Sequence, residues 1–278
     1  MNMSVKNARS IQTVTITDCM LSLEEFIAVA KYGAKVEFAP EMIETVNANR
    51  KLLDKFLKEG RIIYGVTTGF GENVRYTISL EDANTLQENI VRTHSVAVGE
   101  PLDREQARAV MLMTILNDGK GHSGIRIETL DLIRQMLNLD IYPWAPGEGS
   151  VGYLGVEGHL AMAYIGEGKI YDYGELLPAA EVLAKYGLAP LKLSYKEGLS
   201  MLNGTITVTA MALLALYESV ITMQNAEIAG ALCYEALRGT DKELDPRIHA
   251  AKKHDEQIAA ANNLRRMLSG SEICDKYR

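Results

Sequence analysis

The chain has 278 residues, 47% of them hydrophobic and 23% charged, with a formal net charge of −7. That length supports a substantial core in one large or two modest domains, and the acidic balance argues against nucleic acid or an anionic membrane as the main partner. Three widely spaced cysteines, Cys19, Cys233 and Cys274, without any Cys-x-x-Cys, indicate free thiols in a reducing compartment, read as the cytoplasm, and no structural zinc.

From Met1 to Gln12 the chain mixes Lys6, Arg9 and polar residues and shows no apolar core of a secretion signal. Val14 and Ile16 alternate with threonines, a short strand signal. Ser22-Leu23-Glu24-Glu25 is a capping box that opens a short helix, closed by Gly33. Pro40 suits the first turn of the next helix, which carries Ile43, Val46, Leu52, Leu53, Phe56 and Leu57 at helical spacing and stops at Gly60. Arg61 to Val74 is a loop, with glycines at 65, 69 and 71. Ser79 with Asp82 caps a helix to about Val96, and Asp103 with Gln106 caps another to Asn117. A further helix spans about Ile127 to Asn138.

Tyr142 to Gly158 reads as loop. Leu160 to Ile165 reads as helix, Lys169 to Tyr173 as a strand or hairpin, and Leu177 to Tyr186 as a short helix. A long helix is expected from about Gly204 to Leu237, and a last one from about His254 to Leu268. Gly198 to Tyr217 holds no charge. It contains Ser200, Asn203, Gly204 and several threonines and runs on to Glu218, so a buried core helix is expected rather than a membrane span. The class is mostly α, with a few short strands in the first 75 residues and near 169–173.

Several segments can carry chemistry. Tyr64-Gly65-Val66-Thr67-Thr68-Gly69-Phe70-Gly71 is neither a P-loop nor a dinucleotide fingerprint. It reads as a turn-rich connector, or as a flexible loop that lets a phenol reach an enclosed site. Gln87 and His94 lie seven residues apart, on similar faces of one helix. Lys120-Gly121-His122-Ser123-Gly124-Ile125-Arg126 is a glycine-bounded turn before a helix, either a plain turn or an anion site. Asn203, in Leu202-Asn203-Gly204-Thr205, is either a helix cap or a catalytic donor.

Taken in order, these segments resemble the aromatic amino acid lyase family, the histidine and phenylalanine ammonia-lyases. The series is Tyr64 to Gly71, Leu86 to His94, Gly121 to Arg126, Gly149-Ser150-Val151-Gly152, Lys196 to Leu199, Leu202 to Thr205 and Asp245 to His249, and the resemblance runs from about residue 20 to 272. It implies a mostly α, elongated helical-bundle lyase scaffold at half length, with a small N-terminal α+β region. Residues 1–200 would form the N-terminal domain that in the family carries the electrophilic prosthetic group MIO (methylidene-imidazolone). Residues 201–278 would start the central bundle.

The resemblance also implies roles. Tyr64 matches the base that takes the substrate β-proton, His94 a residue that contacts the substrate ring, and Asn203 an asparagine near the prosthetic group and substrate. MIO forms in the family from Ala-Ser-Gly. Here Gly149-Ser150-Val151-Gly152 is followed by Tyr153-Leu154-Gly155-Val156-Glu157-Gly158-His159, with no such triplet and a few residues fewer, so no MIO is expected and no cofactor or metal is assigned. Glu157 becomes the candidate for a new catalytic contact, and His159 and Tyr153 for substrate contacts; Glu157 also reads as a solvated loop residue.

The expected function is that of a subunit of an MIO-independent carbon–nitrogen lyase acting on a histidine-like or other aromatic amino acid derivative. Its partners would be a small amino-acid-like substrate and a second chain with the family's C-terminal half, in a hetero- or homo-oligomer with a tetrameric core. The alternatives are a non-catalytic scaffold subunit that partners such a chain, or a fragment of a longer protein.

Overall fold

The structure, a computed structural model, describes residues 7–17 and 20–276. The first residues, through Lys6, and Cys19 lie outside the described residues. Two parallel strands, β1 (Thr13–Ile16) and β2 (Lys35–Phe38), pair with Thr13 opposite Lys35 and Ile16 opposite Phe38. Between them runs α1 (Leu23–Ala30), opened by the capping box: the Ser22 amide donates to Glu25 Oε2 at 2.8 Å and the Glu25 amide to Ser22 Oγ at 3.2 Å. Then follow α2 (Pro40–Lys58), α3 (Leu80–His94), β3 (Val98–Pro101), α4 (Arg104–Asp118) and α5 (Ile127–Leu139).

The core is built around α4, where Ala107 and the run Ala109 to Leu112 are fully buried. Arg108 is buried with them. Its guanidinium donates to Val29 O (2.8 Å), Leu137 O (2.8 Å) and Asp140 Oδ1 (3.0 Å), pinning the C-terminal ends of α1 and α5 to α4. Burial pulls this guanidinium down to about 10 and the Asp140 carboxylate opposes the shift; a buried guanidinium persists where its N–H groups find acceptors.

Next come β4 (Tyr142–Pro143), β5 (Pro146–Glu148), α6 (Gly155–Tyr164), β6 (Lys169–Asp172), β7 (Glu175–Pro178), α7 (Ala179–Lys185), α8 (Glu197–Leu202) and α9 (Ile206–Ala236). β5 pairs antiparallel with β3, and β4, β6 and β7 form an antiparallel sheet. The chain ends in α10 (Pro246–Lys252), α11 (Asp255–Met267) and α12 (Glu272–Lys276). Among the described residues, those through Leu214 form one compact unit and those from Ala215 on another. The second has its own small core of Ala231, Leu244, Ala261, Leu268 and Cys274, flanked by Tyr234 and Leu264.

The mostly α class stands, and three boundaries and one expected burial differ for physical reasons. α3 stops at His94 rather than Val96, because the His94 ring and the Ser95 hydroxyl take up the carbonyls of Ile90 and Val91 at 2.8 Å each. The expected loop 142–158 contains two strands and the start of α6, whose first turn, Gly155-Val156-Glu157-Gly158, is half glycine and hides its helicity. Leu177 and Pro178 pair in β7, so α7 begins at Ala179. The long helix α9, expected to be buried, is largely exposed within this chain: only 17% of its most apolar window is buried, and Met223 is 69% and Leu232 62% exposed. By length and composition alone that stretch is apolar enough to cross a membrane.

Candidate active site

Three helices, α3, α6 and α8, meet closely enough to fix the site, and two glycines set their approach. A Cβ on Gly158 of α6 would lie 2.9 Å from the His94 carbonyl, and one on Gly198 of α8 would overlap the Gln87 carbonyl. α3 is thus gripped on two sides by backbone contacts that only glycine permits.

Gln87 ties the pieces together. It is fully buried in α3; its amide donates to Gly65 O at 2.9 Å, and its Oε1 accepts from the Leu199 amide at 3.0 Å. One side chain therefore anchors both the glycine loop and α8. The loop is braced further by its threonines: the Ile63 amide donates to Thr67 Oγ1 (2.8 Å) and the Gly65 amide to Thr68 Oγ1 (3.1 Å). The Tyr64 oxygen accepts from the Gly71 amide at 3.0 Å, and its ring meets the Phe70 ring edge-on, centroids 6.2 Å apart.

At the other end, α8 is held by Glu197, a fully buried carboxylate. It accepts from the Arg126 guanidinium (2.6 Å), the Thr129 hydroxyl (2.6 Å) and the Ser194 amide (2.8 Å). With its first residue fixed, α8 delivers Leu199 and, at its C-terminal end, Asn203.

The result is a cleft of about 760 Å³ lined by Tyr64, His94, Tyr153 and Asn203, with apolar walls that include Phe70, Ile90 and Leu199. The His94 ring uses Nδ1 against the Ile90 carbonyl at 2.8 Å. A carbonyl only accepts, so the proton sits on Nδ1 and Nε2 is left as an acceptor in the neutral ring. The cleft combines apolar surface with a few polar groups, the usual pattern of a small-molecule site.

Tyr153 reaches the cleft through an unusual turn. Leu154 has φ +76° and ψ −55°, and the Gly155 amide donates to the Tyr153 carbonyl at 3.1 Å. This is a γ-turn, a strained geometry of the kind found at functional sites. The Ser150 hydroxyl donates to the same carbonyl at 2.6 Å. Glu157 and His159 do not line the cleft. Glu157 is buried in α6, accepting from the Thr207 amide (3.1 Å) and hydroxyl (2.6 Å), with Oε2 unpartnered; burial pushes its carboxyl up, against those bonds. Half-buried His159 packs edge-on against Trp144, centroids 5.5 Å apart, and burial lowers its imidazole. Among the described residues no cluster of three or more His, Cys, Asp or Glu is placed to hold a metal.

Sequence reasoning did not single out the part played by Gln87, nor Glu197 as the anchor of α8. An amide on the inward face of a helix, seven residues before His94, was the available signal for the first; the second depends on partners in another part of the chain.

The helical fold and this cleft define an ammonia-lyase-type scaffold. The profile of the family described as "Aromatic amino acid lyase" matches residues 21–278, and the chain belongs to that family. It is 39% identical over 255 residues to the histidine ammonia-lyase of Streptococcus pyogenes serotype M18, covering 91% of this chain and 50% of that protein. Among solved structures it resembles tyrosine aminomutase from Streptomyces globisporus (34% identity, TM-score 0.90, 94% of this chain and 50% of the other). It also resembles ergothionase from Treponema denticola, an ergothioneine-degrading enzyme solved with desmethyl-ergothioneine sulfonic acid (29% identity, TM-score 0.89, 95% and 53%). The chain spans about half the length of the curated relatives it matches.

Proposed function

We propose that the protein contributes the base-bearing part of a carbon–nitrogen lyase that works without MIO, on a histidine-like or other aromatic amino acid derivative. The observation that carries this reading is the convergence of Tyr64, His94, Tyr153 and Asn203 on one cleft. MIO formation requires a serine that loses its hydroxyl within the cyclising triplet. Leu154 has no hydroxyl to lose, and the Ser150 hydroxyl is bonded to the Tyr153 carbonyl. The residues present do not fit the group.

Without an electrophile to activate the amine, the leaving group must already be good, as a quaternary ammonium is, or the β-proton must be acidified by the ring. Tyr64, as the phenolate, takes the β-proton. The C–H electron pair becomes the Cα=Cβ double bond while the C–N bond breaks, and the amine departs with the C–N electron pair. The Gly71 amide holds the Tyr64 oxygen in place, and His94 offers Nε2 to the ring. A second polypeptide carrying the rest of the family scaffold completes the assembly, and the exposed apolar residues of α9 supply its docking face. The protein acts in the cytoplasm.

The test is turnover, read as arylacrylate absorbance, in the complete assembly. Tyr64→Phe should lower kcat by about 10²–10⁴-fold, and borohydride should leave wild-type activity unchanged. Full activity in Tyr64→Phe would remove Tyr64 from the mechanism, and an assembled but inactive wild type would favour a non-catalytic scaffold subunit. Inactivation by borohydride would show that an electrophile is present.

A further inference from the structure

The turn between α4 and α5 and the segment that leads into α8 flank a cavity of about 310 Å³, at the low end for a small-molecule site. Its lining is mostly polar and includes Asp118, Lys120, His122, Ser123, Lys196 and Ser200. The chemistry inferred for it needs nothing from the Tyr64 cleft.

Two of these side chains stand out by what they lack. Asp118 is 1% exposed; its Oδ1 accepts from the Asn117 side-chain amide at 3.1 Å, and its Oδ2 has no partner among the described residues. A buried carboxyl with a free oxygen is costly as an anion, and burial pushes it up to about 8 against the pull of the Asn117 amide. At neutral pH it is an acid with a proton to give. Lys196 is half-buried, and its amine has no hydrogen-bond or ion-pair partner among the described residues. Burial lowers it from the usual lysine range, and the negative charge that would oppose this is absent while Asp118 is protonated. Burial therefore enlarges the share of free amine, and the two groups form no salt bridge.

The lysine is also held in place. Its φ is +76°, in the left-handed region that a lysine rarely occupies. The Arg50 guanidinium donates to the Tyr195 carbonyl at 3.1 Å and to the Gly124 carbonyl at 2.9 Å, which ties the residue before Lys196 to the turn. The residue after it, Glu197, is anchored by Arg126 and Thr129. The lysine stem passes close to the turn: a Cβ on Gly124 would sit 3.3 Å from Lys196 Cγ. A strained backbone fixed on both sides of a lysine that bonds to nothing is the mark of a group kept ready for a ligand.

We propose that Lys196 is a nucleophilic amine and that this cavity captures short, polar aldehydes as imines, with Asp118 as the acid. The lysine nitrogen attacks the carbonyl carbon and the C=O π pair moves to oxygen, giving a carbinolamine once a proton passes from nitrogen to oxygen. The C–O bond then breaks, the Asp118 proton leaves with the oxygen as water, and the nitrogen lone pair closes the C=N bond. The iminium returns its N–H proton to the Asp118 carboxylate. The net change is amine plus aldehyde to imine plus water, with no oxidant or reductant. The hydroxyl and amide groups of the lining favour an aldehyde that carries a hydroxyl over an alkyl one.

The experiment treats the full chain with glycolaldehyde and sodium cyanoborohydride and follows each lysine by peptide mass spectrometry. Lys196 should be labelled at least about tenfold faster than the exposed Lys58, through its larger share of free amine and its neighbouring acid. Its rate should saturate with glycolaldehyde, because the aldehyde binds before it reacts, while that of Lys58 rises linearly. Asp118→Asn should slow labelling of Lys196 at least about tenfold, with Lys58 unchanged and the near-ultraviolet circular dichroism unaltered. A lysine activated by burial alone would react as fast or faster in that variant, which has no carboxylate to stabilise the ammonium, and that result would overturn the proposal. So would labelling of Lys196 no faster than of Lys58, or a Lys196 rate that stays linear in glycolaldehyde. Both of these are read in the wild type and hold whether or not the variant folds.

Discussion

Asp118 is held as a neutral acid by its surroundings, and stability must follow its proton. The unfolded chain releases that proton near pH 3.9, whereas the folded chain keeps it up to about pH 8. Between those values the native state binds more protons than the unfolded one, so stability falls as pH rises across the window, by up to about 1.4 kcal/mol per pH unit. The contribution is fully present below pH 4 and gone above pH 8. Urea melts at pH 5 and pH 8 should show wild type less stable at the higher pH, and Asp118→Asn should flatten the difference. An unchanged slope in the variant would place the pH dependence elsewhere. Leu154 also concentrates strain, because its positive φ lacks the glycine that would relieve it.

Among the elements, α3 is the one whose position sets the site, and its grip by Gly158 and Gly198 is testable. Ala normally improves a helix over Gly by up to about 1 kcal/mol. At Gly198 the added methyl would overlap the Gln87 carbonyl, so Gly198→Ala should destabilise the protein by about 2 kcal/mol, measured by denaturant melts. Because Gln87 binds both Gly65 O and the Leu199 amide, the same change should disturb the Tyr64 loop. A stabilised Gly198→Ala variant would show that the helices can separate at no expense. The helix starts at Ser22, Ser79 and Asp103 were legible in the sequence, because a cap is a local hydrogen bond that residue identity nearly dictates. The start of α6 was not: its first turn depends on the γ-turn before it and on burial against α3, neither of which a short window of sequence contains.

At the scale of the whole molecule, the exposed apolar side chains of α9 contribute little to the chain by itself; in the proposed assembly they form the docking face. Leu232→Glu should change its thermal stability by less than about 0.5 kcal/mol, since the side chain is 62% exposed. The same variant should prevent association in sedimentation experiments; unchanged sedimentation would mean this face is not an interface. The site divides in legibility along similar lines. Tyr64, His94 and Asn203 stand in short motifs and could be named from sequence, whereas Glu157 and His159 could not be excluded from the cleft without coordinates, because a one-residue change in helix register turns a side chain from a wall into the core. Lys196 and Asp118 come from distant segments, and only the fold reveals that they line one cavity.

Glu157 accepts both the amide and the hydroxyl of Thr207, fastening the first turn of α6 to the first turn of α9. The segment between Gly152 and Leu154 therefore lies just ahead of this clasp. Residues added or removed ahead of that clasp lengthen or shorten a surface loop and leave the helices in register. The clasp makes this corner a place where loop length can vary while the frame around it stays assembled.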